Sequence, residues 1–277
     1  FRWFVVRVTV AVLALAGIAS PATAADPETI ARLADAISVG LHRQYGTAEQ
    51  CEAAVVRTYD VPLSPDKVAF ASETMQGLLF EPALSTYFAK LLAPIIRRDL
   101  PAEELAAAVR EGTFVLQTRG LARLPTERQA EFLAHTLAVA RSLTPAKCKA
   151  AFLGQLSSRE SVALERRYLA GLPIARFEAV TRLYRDAAKA ELDGYPDPRV
   201  ISAEQAGLAK SAHALMATDR WVAAGFSRDT VVAATSNSAG AEPQDVCDVM
   251  SIAAEAMLGL DEPYRAWALV RFIQSLQ

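Results

Sequence analysis

Residues 119–129 read RGLARLPTERQ, and residues 258–266 echo them as LGLDEPYRA. The same order, Gly-Leu and then a proline that opens a new amphipathic run, recurs at Gly77-Leu78 before Pro82 and Gly171-Leu172 before Pro173. Glycine can adopt the left-handed conformation that ends a helix, leucine can pack back on the last turn, and proline suits the first turn of a successor. Each site therefore reads as the corner of a helical hairpin. Two details are expected of such a corner: Gly120 takes a positive φ, and Pro125 lies in the first turn of its helix. The four glycines are 43, 51 and 88 residues apart, the last interval being about twice the others.

Between the corners the apolar residues recur at steps of three and four rather than two, the helical period. Ile30, Leu33, Ile37 and Leu41 form one such stripe after Asp26-Pro27. Leu84, Tyr87, Phe88, Leu91, Leu92 and Ile95 form another, and Phe177, Val180, Tyr184 and Ala187 a third. Thr47 with Gln50 and Ser202 with Gln205 have capping-box spacing, and Ser64-Pro65 and Thr144-Pro145 read as N-cap followed by first helical residue. Gly112 falls inside a run from Pro101 toward Leu121, where it should cost about 1 kcal/mol relative to alanine. The chain is expected to be all-α, an irregular multi-helix bundle of helical hairpins. A period near 44 residues suggests a short α-solenoid as the alternative, but self-similarity stops at the corners, which favours the bundle. One further echo joins two helix starts, TAEQCEAA at 47–54 and TPAKCKAA at 144–151.

Residues 1–24 read as a secretory signal peptide: Arg2 and Arg7, then an apolar run, then PATAAD with Ala22 and Ala24 as the small residues before cleavage. The run is well short of the roughly 20 residues that span a bilayer, so no stable membrane anchor is expected after cleavage. Residues 25–277 would then form a single all-helical domain. Within it, the small polar stretch 227–241 reads as a mobile loop preceding a C-terminal hairpin at 243–277. The mature balance of 27 basic and 31 acidic residues, evenly mixed, gives no basic footprint for nucleic acid. The location that follows is periplasmic or secreted.

In such an oxidising compartment, two of Cys51, Cys148 and Cys247 can pair, and three pairings are open. Zinc-binding, phosphate-cradling and nucleophile-elbow motifs are absent, so the sequence offers no catalytic, metal or cofactor residues. Ser64-Pro65-Asp66-Lys67 matches S-x-x-K, a serine-lysine arrangement used in acyl transfer, but it lacks the companion motifs and reads better as a helix start. His42, His135 and His213 are dispersed and read as structural. Glu103-Glu104 and Asp261-Glu262 stand at helix starts, where they complement the helix dipole. Trp221 and Phe226 are candidates for a recognition patch, with burial the commoner fate. Together these features lead to the expectation of an exported helical protein that binds a macromolecular partner, for which a protein is a candidate, or serves in an envelope assembly. The rival is a cell-envelope hydrolase using carboxylate acid/base chemistry.

Overall fold

Asp26 starts the first helix by accepting the backbone N–H of Thr29 at 2.7 Å, with Pro27 in the first turn. From there the computed structural model describes residues 26–59, 61–96 and 102–277. The expected signal peptide at 1–24 lies outside the described residues. Among them the chain forms thirteen helices and no strand. These are α1 (Pro27–Tyr45), α2 (Ala48–Thr58), α3 (Pro65–Leu79), α4 (Pro82–Ile96), α5 (Ala102–Leu121), α6 (Thr126–Arg141) and α7 (Pro145–Phe152). They continue with α8 (Ser158–Gly171), α9 (Ile174–Asp193), α10 (Ala203–Ala223), α11 (Arg228–Ser236), α12 (Pro243–Leu258) and α13 (Tyr264–Gln274). Both predicted capping boxes form, on Thr47 with Gln50 and on Ser202 with Gln205. Ser157 and Glu160 make a third at the start of α8. Ser64 and Thr144 occupy N-cap positions, but neither hydroxyl makes a cap hydrogen bond.

The helices group into two compact units, one comprising the described residues up to 120 with 169–196, the other 121–168 with 197–277. In the first, α1 lies along α4, and Ile37, Leu41, Leu84, Phe88 and Leu92 are fully buried. Each such side chain contributes roughly 1.5–3 kcal/mol of apolar burial. Helix α9 packs on α3 although about 100 residues separate them along the chain, and it buries the whole predicted stripe of Phe177, Val180, Tyr184 and Ala187. In the second unit α12 is central, meeting α6, α7, α10, α11 and α13. A solenoid repeat touches only its neighbours in sequence. These long-range pairings inside each unit therefore make the fold a multi-helix bundle.

The Gly-Leu sites do lie at helix ends, but not for the expected reason. Gly120 sits inside α5, and among the described residues the left-handed glycines are instead Gly154, Gly194 and Gly225. At each of these the next residue's N–H reaches back five residues, as Tyr195 does to the Ala190 carbonyl at 3.2 Å, and the glycine's own N–H reaches back three. Both bonds of the Schellman stop are thus present. Gly120 is glycine because of α9: a Cβ there would stand 1.7 Å from the carbonyl oxygen of Ala187. Pro125 is the N-cap of α6, one residue before the helix. Gly112 likewise admits a neighbour, since its Cβ would meet Leu91, and its carbonyl accepts the Tyr87 hydroxyl at 2.7 Å. Burial pushes the Tyr87 phenol up to about 12.

The stretch 227–241, read as a loop, is mostly α11. Ser227 accepts the N–H of Thr230, and Ala234 is buried with Val246 and Val249 against Trp221 and Phe226. Of the small polar residues that suggested a loop, Ser227 is a cap and Thr235 and Ser236 are an exposed helix end, while residues 237–241 form the turn that follows. Helices α12 and α13 form as expected at the C-terminus, and each also packs on α10. Leu269, Val270 and Ile273 are buried there.

Candidate functional site

Cys148 and Cys247 are paired, with Cα atoms 5.6 Å apart, joining α7 to α12. Around them lie Ala140, Leu143 and Phe152. The neighbouring Lys149 donates to the carbonyls of Ala239 and Ala241, at 3.0 and 2.7 Å, so the turn after α11 is held to the same short helix. Cys51 is buried in the other unit and donates its thiol to the Tyr45 carbonyl at 3.2 Å. Burial pushes that thiol up to about 11 despite an opposing hydrogen bond with Gln76, so at neutral pH it is protonated and a poor nucleophile.

The serine-lysine fragment is also built into the scaffold. Lys67 is buried on α3, donates to the Ala170 carbonyl at 2.7 Å and lies 5.7 Å from the Phe177 ring centre. That carbonyl belongs to the last turn of α8, where a positive charge is favoured by the helix dipole. The ammonium ties α3 to the end of α8, while Ser64 is exposed to solvent.

Each histidine makes a structural bond. His42 bonds the Ser38 carbonyl through Nδ1 at 2.9 Å and stacks on Phe80. His213 on α10 reaches the Ala253 carbonyl of α12 at 2.7 Å. His135 on α6 pairs with Glu165 of α8 at 3.2 Å, with side chains only 4% and 15% exposed and the Tyr168 ring beside them. This pair ties α8 to α6 in a setting largely closed to solvent.

Among the carboxylates, Asp26, Glu160 and Glu255 have pKa values displaced downward. The causes are hydrogen bonds from Thr29, from Ser157 and from Arg141 respectively. A general acid needs the opposite displacement. Glu262 pairs with Arg265 and accepts the N–H of Ala266, in line with its reading as a helix-start acid. The side chain of Glu103 lies outside the described residues. Among the described residues no group of three or more His, Cys, Asp or Glu gathers to hold a metal ion. Trp221 is half-buried and donates its indole N–H to the Val249 carbonyl at 2.9 Å, which makes it part of the packing around α11.

What the sequence reading missed is the outer face of α10. Leu208, Leu215 and Val222 are 45%, 69% and 70% exposed, whereas Ala209 and Ala217 on the opposite side are fully buried. The inner face packs Ala209, Ala212 and Met216 against Leu260, Ala268 and Trp267. The helix is thus apolar on two sides, and Leu208 and Leu215, when read from sequence, merge with the buried set. The signal was the spacing of seven, 208, 215 and 222, which is independent of the inner stripe and spans about 21 Å of helix.

No protein-family profile, no curated protein and no solved structure matches the chain. Fold and surface together define an all-helical protein of two compact units, the second carrying a disulfide and an apolar helix face open to solvent. Among the described residues, no helix is long and apolar enough to cross a membrane.

Proposed function

We propose that this is an exported, periplasmic helical protein that binds a protein partner, with the outer face of α10 as the docking surface. The observation that carries the reading is the row Leu208, Leu215 and Val222, three large apolar side chains aligned on one helix and left in water. Aligned apolar rows of this kind mark interaction sites more often than scattered single residues do. The signal-like residues 1–24 and the Cys148–Cys247 pair accord with an oxidising destination. The rival reading, a carboxylate hydrolase, gains nothing from Asp26, Glu160 and Glu255, whose displacement runs the wrong way for an acid catalyst.

The test is paired affinity capture from envelope extract, using the chain with residues 1–24 retained and its Leu215→Asp variant. A stoichiometric partner retained by the wild type and lost by a variant with unchanged melting temperature supports the reading. Identical capture by both proteins sinks it. Fractionation of the same cells, with N-terminal sequencing of the product, tests export: recovery in the cytoplasm with residues 1–24 intact counts against it.

A further inference from the structure

We infer that the segment seated on α10 is a basic amphipathic helix of the partner, its apolar seam on Leu208, Leu215 and Val222 and its basic flanks on Glu204 and Asp219. The inference rests on the docking role proposed above and names its chemistry. At 100° per residue, Glu204 and Asp219 fall within about 40° of the Leu215 direction, whereas Lys210 and Arg220 lie about 140° round the helix. Glu204 and Asp219 are both exposed. Arg220 belongs to the inner side, where its guanidinium sits against Gly259. Along α10 itself the face is therefore apolar with acidic neighbours and no basic one, although the chain as a whole is nearly balanced, with 29 basic and 31 acidic residues.

Such a face selects among helices by charge. A second copy of α10 would bring two more acids and no base to the contact, so the surface is a poor match for itself. An anionic lipid surface would meet the same repulsion. A partner helix with Lys or Arg on either side of a leucine seam would gain burial from the seam and ion pairs at the flanks, the usual division between apolar anchors and charged specificity in helix pairing.

The probes are two labelled 21-residue peptides with the same leucine heptads, one flanked by lysine and the other by glutamate. Binding is read by fluorescence anisotropy against the full-chain protein as recovered from expressing cells. The lysine-flanked peptide should bind about tenfold more tightly than the glutamate-flanked one, as expected for two exposed charge pairs. The double variant Glu204→Lys/Asp219→Lys should reverse the order, and Leu215→Asp should weaken both. Circular dichroism and melting confirm that the variants keep their fold. Equal binding of the two peptides, or no binding by either, overturns the inference. If partner capture still depends on Leu215 in that case, the docking role survives without its charge preference. Sedimentation showing a dimer that Leu215→Asp dissolves overturns it in favour of a second copy of the chain.

Discussion

Helices α2 and α7 begin with nearly the same words, TAEQCEAA and TPAKCKAA, and their cysteines meet opposite fates. Thr47 closes a full capping box, while Thr144 makes no side-chain cap bond. Cys51 is sealed in the first unit with a carbonyl for a partner, while Cys148, equally buried, is bonded to Cys247 in the second. The difference teaches that a local sequence sets where a helix starts and which residue faces inward. The neighbour met there decides whether that residue is filler, cap or covalent tie. Gly77 and Gly120 repeat the lesson: both precede leucine near a helix end, yet a Cβ on Gly77 would meet nothing within 4 Å and one on Gly120 would strike the Ala187 backbone.

The strongest break in the first comparison is Cys148→Ala/Cys247→Ala. Opening a cross-link between residues 99 apart should cost about 4 kcal/mol in urea unfolding without reductant. Cys51→Ala should cost only about 1 kcal/mol. Similar losses for the two variants would mean that the bond contributes little. In the unreduced native protein, iodoacetamide at pH 8 should leave Cys51 unmodified, and urea should expose one thiol per chain to alkylation, read by mass.

Gly120→Ala comes next, at about 3 kcal/mol, because backbone rather than a movable side chain stands in the way. Gly77→Ala is the opposing arm: a helical glycine with open space around it should gain about 0.5–1 kcal/mol on becoming alanine. A loss at both positions would show that some helix-end role, not packing, dictates these glycines.

For the caps, Thr47→Ala should lose about 1 kcal/mol, as the capping box implies. Thr144→Ala and Ser64→Ala should stay within about 0.5 kcal/mol, since neither hydroxyl caps. Equal costs at 47 and 144 would erase the distinction.

The smallest effect concerns pH. Arg141 holds the Glu255 carboxyl below its usual range. The stability from that pair is therefore present above the unfolded glutamate value and is lost as pH falls through the lower folded one. Because both side chains are more than a third exposed, at 45% and 35%, the contribution should be only about 0.5 kcal/mol. A pH series comparing the wild type with Glu255→Gln should show the difference at pH 7 and its disappearance near pH 3.

Much of the fold was legible because it is written in short-range terms. Stripes such as Phe177–Val180–Tyr184–Ala187 and boxes such as Thr47–Gln50 need only one helix to be interpreted. The 227–241 stretch misled because the helix there is stabilised by Trp221, Phe226 and α12, none of which its own composition records. The candidate site stayed hidden for the reverse reason. Leu208 and Leu215 look like core in any sequence, and their exposure follows only from which side of α10 the second unit occupies.

Taken alone, the sequence determined the helical class, most helix starts and the inward stripes, because caps and periodicity act within a few residues. Tertiary structure decided the division into two units, the choice of Cys247 as partner for Cys148, the true reason for Gly120 and the open face of α10. Those outcomes depend on backbone approach and burial between segments as much as about 100 residues apart, distances over which no local pattern carries information.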